Sequence, residues 1–260
     1  MIARKRFGQH FLTPEWVVKV VKAIGPAAAD DFFEIGPGQG ALTLPLTAQA
    51  RSVTAFEIDR DLAAELQASA PANLTVIEGD FLESTWVHEH PPVHPIRVAG
   101  NLPYNVASPI MFKLIELHDA GIQIADATLM LQREVADRLV AMPGTKEYGV
   151  LSILVRLSAD VDRLLNLPPG AFRPAPQVQS ALVRLRFHPP TPPPRHRPAF
   201  TAMVAAIFTR RRKTLENALL ALGSSDRAAI AAALLKSGID GRRRPETLDI
   251  AELVRLSDAF

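Results

Sequence analysis

The chain has 260 residues, a formal net charge of +2, and 48% hydrophobic and 22% charged residues, the composition of an ordinary globular protein. Its length suffices for one large domain and a smaller one. It has no cysteine, which excludes disulfides, thiolate metal sites and cysteine nucleophiles. No apolar run is long enough to span a bilayer, and the basic start has no apolar stretch behind it, so we expect a cytoplasmic protein without a membrane partner.

Charge is distributed unevenly along the sequence. The first twelve residues carry Arg4, Lys5 and Arg6 and no acid, and residues 195–260 carry 12 basic and 7 acidic side chains. Positive ends around an acidic middle are typical of a protein with a polyanionic partner. Scattered solvated charge explains the same pattern equally well.

Short β-rich runs alternate with helix-like segments before residue 188. This alternation predicts an α/β fold with a mostly parallel, Rossmann-like sheet covered by helices on both faces. The predicted strands are Asp31–Ile35, Ser52–Ile58, Leu74–Glu78, Ile96–Ala99 and Ala127–Leu131, and Val178–Phe187 is predicted as an antiparallel edge strand. The predicted helices between them are Ala41–Gln49, Asp61–Ala70 and Ser108–Leu117.

A proline-rich stretch marks the domain boundary. Six prolines in residues 188–198 cannot lie inside a helix or a central strand, so this stretch is predicted to be an extended linker. We therefore predict one domain over 1–187 and a small all-α domain over 199–260. The helices predicted in the latter are Ala199–Leu222, Asp226–Ser237 and Leu248–Ser257.

Three consecutive strand ends carry groups that suit a nucleoside. The first is followed by Gly36-Pro37-Gly38-Gln39-Gly40, where glycines allow a sharp turn beside a ligand. The second ends at Glu57, whose carboxylate can accept hydrogen bonds from both ribose hydroxyls, and the third at Gly79-Asp80-Phe81, where the acid can accept from an adenine amino group. The glycine spacing differs from the dinucleotide fingerprint, which disfavours a nicotinamide cofactor.

The fourth predicted strand leads into Asn101-Leu102-Pro103-Tyr104, which resembles the signature of methyltransferases acting on planar amino nitrogens. The lone pair of adenine N6 is delocalised into the ring, so the Asn101 side-chain oxygen and the Leu102 carbonyl would favour a pyramidal, reactive nitrogen. Pro103 would stiffen the loop and Tyr104 would stack on the base. Because the methylated amine can lose its proton afterwards, catalysis would be positioning and electrostatics. The alternative interpretation is a plain Asn-Pro turn.

The chain resembles the ribosomal RNA adenine N6-dimethyltransferases over nearly its whole length. Phe7–Leu12, the glycine loop, Glu57, Asp80, Asn101–Tyr104, Phe172–Ser180 and Phe208–Leu215 carry the likeness. The resemblance implies a class I methyltransferase fold, S-adenosylmethionine as cofactor, and N6-dimethylation of two adjacent adenosines near the 3′ end of small-subunit (16S) rRNA. The implied partner is that rRNA or a pre-assembled small ribosomal subunit, bound by a monomer.

The resemblance also implies roles for individual residues. The cofactor pocket would be lined by His10, Leu12, Gly36, Gly38, Glu57, Ile58, Asp80, Phe81 and Asn101. Phe172 would face Tyr104 across the flipped base, although a phenylalanine beside prolines is also commonly a core residue. RNA phosphates would contact Arg4, Lys5, Arg6 and a predicted helical run, Arg210, Arg211, Arg212 and Lys213. We predict no metal site, since His88, His90 and His94 lie in a proline-interrupted loop.

Two alternative functions stay open. One is a large-subunit rRNA adenine N6-methyltransferase of the macrolide-resistance type, and the other is a non-catalytic rRNA-binding assembly factor. The Arg-Arg-Lys-Thr-Leu run and the helical tail favour the small-subunit enzyme. The intact glycine loop, Asn101 and Tyr104 favour catalysis.

Overall fold

The protein forms two compact units in this computed structural model, which describes residues 10–103, 105–223 and 226–260. The first unit comprises the described residues up to Ala136 together with Asp160–Phe187, and the second comprises Asp137–Ala159 with His188–Phe260. The predicted domains differ from these units, since residues 137–159 and the predicted linker both belong to the second. The reason is packing: Tyr148, Ile153 and Leu157 are buried among the C-terminal helices.

Strands and helices alternate from Phe11 to Gln132 in the first unit, as the sequence pattern predicts for its central part. In chain order they are β1 (Phe11–Leu12), α1 (Pro14–Ile24), β2 (Asp31–Ile35), α2 (Thr43–Thr47), β3 (Ser52–Glu57), α3 (Arg60–Ala68), β4 (Leu74–Glu78), α4 (Trp86–Glu89), β5 (Ile96–Asn101), α5 (Ala107–Asp119), β6 (Ile124–Gln132), α6 (Arg133–Leu139), α7 (Val150–Arg156), β7 (Ala159–Leu167), β8 (Phe172–Arg173) and β9 (Ser180–Phe187). Of these, α7 lies in the second unit.

Among the described residues the main sheet has seven strands in the order β4-β3-β2-β5-β6-β9-β7. The pairs joining β4, β3, β2, β5 and β6 are parallel, and β9 runs antiparallel to β6. The mostly parallel α/β fold is thereby confirmed. The prediction that the last strand forms the edge is wrong, because β7 lies outside β9. The sequence does not predict β7, because four polar residues interrupt its apolar pattern: Asp160, Asp162, Arg163 and Asn166.

Helix α1 was not predicted from the sequence, because its four valines favour strands. Pro14 in its first turn and Glu15 beside it suit a helix N-terminus, and Gly25, at φ +63°, ends the helix. Val20, Val21 and Ile24 bury the inward face of α1 in the core of the first unit. Burial of this apolar face therefore decides the conformation.

The second unit also contains α8 (Arg197–Phe208), α9 (Leu215–Leu219), α10 (Arg227–Ser237) and α11 (Ile250–Ser257). Asp226 caps α10, and Asp249 forms a capping box with Glu252 on α11, which confirms the positions of the last two predicted helices. The prediction of one helix over Ala199–Leu222 is wrong, since α8 ends at Phe208. Among the described residues, no helix is long and apolar enough to cross a lipid bilayer.

The predicted helical run Arg210–Lys213 lies in the turn between α8 and α9. The Arg211 guanidinium donates to the carbonyls of Lys146 (2.9 Å) and Tyr148 (3.4 Å). These contacts, with Thr214 as the N-terminal flanking residue of α9, favour a turn over a continuous helix. Proximity along the chain does not reveal them, because their partners lie more than sixty residues away.

Arg97, near the start of β5, joins three elements of the first unit. Its guanidinium forms ion pairs with Asp30 (2.8 Å) and Asp126 (3.0 Å), and its side chain is only 14% exposed. It also donates to the carbonyls of Ile24 and Gly25 at the end of α1. Arg97 thus satisfies helix-end carbonyls that α1 itself leaves without partners.

Replacing Arg97 by methionine should lower the free energy of unfolding by about 3 kcal/mol, because two carboxylates would lose a largely buried partner. Urea titration measures this change. The matched control is Arg186→Met, whose ion pair with Asp162 is about half exposed and should contribute less than about 1 kcal/mol. Equal losses in both variants would contradict the assignment.

Candidate active site at the carboxyl ends of the strands

A cavity lies at the carboxyl ends of the central parallel strands. Its lining includes every residue predicted for the cofactor pocket: His10, Leu12, Gly36, Gly38, Glu57, Ile58, Asp80, Phe81 and Asn101. The chain runs from β2 outward through β3 to β4 and then returns to β5 on the other side of β2. Open α/β sheets bind ligands in the crevice at such a reversal.

The glycine loop after β2 leaves room for a ligand close to the backbone. Gly36 and Gly38 adopt positive φ angles of 69° and 57°, which L side chains rarely adopt. A Cβ atom on Gly38 would also lie 3.1 Å from the Phe11 ring. The backbone of this loop can therefore approach a ligand more closely than any residue with a side chain would permit.

Glu57 holds the glycine loop in place. Its Oε2 atom accepts from the Gly38 amide (2.9 Å) and its Oε1 atom from the Asp59 amide (2.8 Å). The side chain is 4% exposed, and its burial raises the pKa of the carboxyl group above the ordinary value. Each carboxylate oxygen has a second lone pair, so Glu57 can also accept from two hydroxyls of a ligand.

The end of β4 supplies an acid and an aromatic wall. Asp80 Oδ1 accepts from the Leu82 amide at 2.9 Å. The Phe81 ring packs edge to face on Phe56, with 5.2 Å between centroids, and Phe56 packs in the same way on Trp86. This aromatic cluster gives the cavity a rigid apolar side next to the Asp80 carboxylate.

Asn101 is anchored through its amide nitrogen. Nδ2 donates to the His10 carbonyl at 2.8 Å, which directs Oδ1 away from that carbonyl. His10 thus contacts Asn101 through its backbone, whereas its ring Nδ1 lies 2.8 Å from the Pro174 carbonyl. Leu102 follows, with its amide bonded to the Met130 carbonyl at 3.3 Å. Asn101, Leu102 and Pro103 all line the cavity.

Not every predicted catalytic residue lies in the cavity. Phe172 is 1% exposed and belongs to the core of the first unit, where it pairs with Leu12 between β8 and β1. The structure therefore does not place it on a base-binding surface, because its side chain is buried among core residues and does not line the cavity. Tyr104, Arg4, Lys5 and Arg6 were also predicted to be functional and lie outside the described residues.

Comparison with known proteins identifies the family. The sequence profile described as "Ribosomal RNA adenine dimethylase" matches residues 2–260. The chain belongs to this family. A ribosomal RNA small subunit methyltransferase A from Acinetobacter baylyi is 42% identical over 98% of this chain and 92% of its own length. The protein of that name from Bordetella petrii is 45% identical over 99% and 95%, respectively.

Two solved structures of rRNA-modifying or dimethyladenosine-forming enzymes are similar to this chain in sequence and fold. A dimethyladenosine transferase from Plasmodium falciparum is 25% identical, with a TM-score of 0.78 over 95% of this chain and 96% of that chain. The 23S rRNA methyltransferase ErmE is 27% identical, with a TM-score of 0.67 over 96% and 98%. The first unit is thus a class I methyltransferase fold.

Ribosomal RNA adenine dimethylases use S-adenosylmethionine as methyl donor, and this cavity fits that cofactor. Glu57 and Asp80 offer acceptors of the kind that a ribose and an adenine amino group require. Ile58, which is half exposed, and the Phe81 ring provide apolar walls. The glycine loop leaves space for the rest of the cofactor.

Glu34 is a cavity residue to which sequence reasoning gave no role. Its side chain is 1% exposed, and Oε2 has no hydrogen-bond partner among the described residues. Burial raises the pKa of Glu34 from 4.5 to about 7. Two weaker effects act on the same pKa: the nearby Thr43 hydroxyl lowers it, and the negative charge of Glu57 raises it. In the sequence, only its position two residues before Gly36 could have indicated that Glu34 lies in the cavity wall.

Replacing Glu34 by glutamine should stabilise the cofactor-free protein at alkaline pH. Because the pKa is raised in the folded state, wild-type stability is lost as pH rises from about 4.5 to about 7. The variant should thus be more stable than wild type by about 2 kcal/mol at pH 8 and by less than about 1 kcal/mol at pH 5. Urea unfolding at both pH values measures this.

The control is Glu65→Gln on the exposed face of α3, which should show no such pH-dependent difference. A Glu34→Gln effect of equal size at pH 5 and pH 8 would rule out a titrating Glu34.

Proposed function

We propose that this chain transfers methyl groups from S-adenosylmethionine to the N6 atoms of two adjacent adenosines near the 3′ end of small-subunit ribosomal RNA. The observation that carries the proposal is Asn101, which is held by the His10 carbonyl at the end of β5 and lines the same cavity as Glu57 and Asp80. Relatives named ribosomal RNA small subunit methyltransferase A, 42% and 45% identical over nearly their whole lengths, support the small subunit as target. We further propose that the protein acts as a cytoplasmic monomer.

The proposed cofactor contacts follow from the acceptors that the cavity presents. Glu57 would accept from the ribose hydroxyls, Asp80 from the adenine amino group, and Ile58 and Phe81 would flank the ring. Leu12 and the backbone of His10, Gly36 and Gly38 would complete the pocket. Bound there, S-adenosylmethionine supplies an electrophilic methyl group on a positively charged sulfonium.

The catalytic proposal concerns the adenine amine. Asn101 Oδ1 and the Leu102 carbonyl would accept from its two hydrogens, which would favour a pyramidal nitrogen with an exposed lone pair. Two observations support fixed acceptors: the Asn101 amide is bonded to the His10 carbonyl, and the Leu102 amide to Met130. Pro103 would stiffen the loop, and Tyr104 would stack on the base. The methylated amine would lose its proton to water after the transfer.

The second unit is proposed to contact RNA phosphates. Arg210, Arg212 and Lys213 are exposed in the turn between α8 and α9, and so are available to a polyanion. Arg211 differs, because it is only partly exposed and bonds to the distant carbonyls of Lys146 and Tyr148. It also lies 3.8 Å from the Glu246 carboxylate, whereas the Arg210 side chain bonds to the nearby Asn217 carbonyl. We therefore propose phosphate contacts for the other three and for Arg4, Lys5 and Arg6, and a structural role for Arg211.

The activity is tested with labelled S-adenosylmethionine and small ribosomal subunits that lack the modification. Label should appear in N6,N6-dimethyladenosine after digestion and chromatography. Asn101→Ala should lower the rate at least about 100-fold, because an acceptor for the developing charge is lost. The control Asn166→Ala, at an exposed position of the edge strand β7, should keep the rate.

Other outcomes of this assay point to other functions. Label in large-subunit RNA alone would refute the proposed target and favour a large-subunit methyltransferase. Cofactor binding without label in either subunit would favour a non-catalytic assembly factor.

The RNA contact is tested by replacing Arg210, Arg212 and Lys213 with glutamine. The dependence of RNA affinity on salt should weaken, with the slope of log K against log salt falling by about 2 to 3, since about one counterion is released per phosphate contact. Filter binding across a salt series measures this slope.

The matched control removes the same charge elsewhere on the second unit, through Arg227→Gln, Lys236→Gln and Arg255→Gln, all at exposed positions. If both triple variants lose the same slope, the turn between α8 and α9 has no special role and only net charge matters.

A further inference from the structure

Lys113, on α5, binds the loop that follows β4. Its Nζ atom donates to the carbonyls of Leu82 at 2.6 Å and Ser84 at 3.1 Å, although these residues are about thirty positions away in the chain. The same ammonium group lies 5.7 Å from the centroid of the Phe81 ring. An ammonium group has three donors, so one Lys113 side chain can hold both carbonyls at once.

The bonded loop is the one that carries Asp80. Leu82 donates its amide to Asp80 Oδ1 at 2.9 Å and offers its carbonyl to Lys113. Fixing the carbonyl of Leu82 therefore also restrains the residue whose amide orients the Asp80 carboxylate. Leu82 is therefore the single intervening residue that links Lys113 to Asp80 through these hydrogen bonds.

Helix α5 connects this loop to the catalytic loop. It begins at Ala107, directly after residues 101–106, and its Ile110 lines the same cavity one turn before Lys113. The Ile110 amide is bonded to the Val106 carbonyl. The element that follows Asn101 thus also holds the far wall of the cofactor cavity.

We propose that Lys113 is a positioning residue that makes the cofactor site selective for adenine, by holding residues 79–85 so that Asp80 meets the 6-amino group. This inference rests on the proposed role of Asp80. Lys113→Met would keep an aliphatic side chain beside Phe81 and lose both bonds to the loop.

The test compares binding of S-adenosylhomocysteine with S-inosylhomocysteine, which has oxygen in place of the 6-amino group. In wild type the adenine ligand should bind at least ~30-fold more tightly, because a hydrogen bond to a charged group is lost with inosine. Lys113→Met should reduce this ratio by about 10-fold. The turnover number at saturating S-adenosylmethionine should change less than about 3-fold, since Lys113 does not touch the methyl acceptor.

The control is Lys22→Met, at an exposed lysine in the last turn of α1, which should keep the wild-type ratio. A second variant, Lys113→Gln, can still donate to one carbonyl and should give an intermediate ratio, so the test does not depend on one variant folding. Calorimetry or tryptophan fluorescence measures both affinities.

Asp80→Ala separates the two proposals. If it abolishes the ratio and Lys113→Met does not change it, the inference about Lys113 is overturned and the role of Asp80 stands. If Asp80→Ala leaves the ratio at the wild-type value, the role of Asp80 fails and the inference fails with it. Equal weakening of both ligands by Lys113→Met would show a merely structural lysine.

Discussion

The parallel pairing of β2 with β3 on one side and β5 on the other places every part of the site. Ile35, the last residue of β2, lies opposite Phe56 of β3 and Gly100 of β5, so the three strands end at the same level. A Cβ on Gly100 would lie 2.8 Å from the Ile35 carbonyl, which shows how closely β5 approaches β2. The loops that leave these strands therefore enter one crevice, from both sides of the reversal in strand order.

Two buried carboxyl groups lie in the wall of this crevice. Glu34 and Glu57 are both buried in its wall, and burial raises the pKa of each. A buried carboxyl group with an oxygen lacking a partner is costly to ionise. A positive charge bound beside these groups would lower the cost of ionising them.

Much of this fold could be predicted from the sequence, and the exceptions have physical reasons. Apolar runs bounded by clear turns predicted the exact bounds of β2 and β4. The motifs at the strand ends predicted residues that line the cavity. The edge strand β7 was missed because an edge needs no continuous apolar pattern. The break after Phe208 and the contact of Lys113 depend on partners far along the chain. The motif that contains Phe172 indicated a catalytic role, but exposure depends on packing, and this side chain is buried in the core of the first unit.

The second unit is assembled from two separate stretches of chain, and this has a consequence for modularity. Tyr148 and Ile153, from the earlier stretch, are buried with Phe200 and Leu253 from the later one, and the Tyr148 hydroxyl donates to the Leu248 carbonyl. Cutting the polypeptide at the prolines after residue 187 would remove Ala141, Tyr148, Ile153 and Leu157 from this core and expose the C-terminal residues that pack on them. The second unit is thus not a separate C-terminal module. Exchanging it between related proteins would require two junctions in the sequence, one on each side of residues 137–159, besides the one after residue 187.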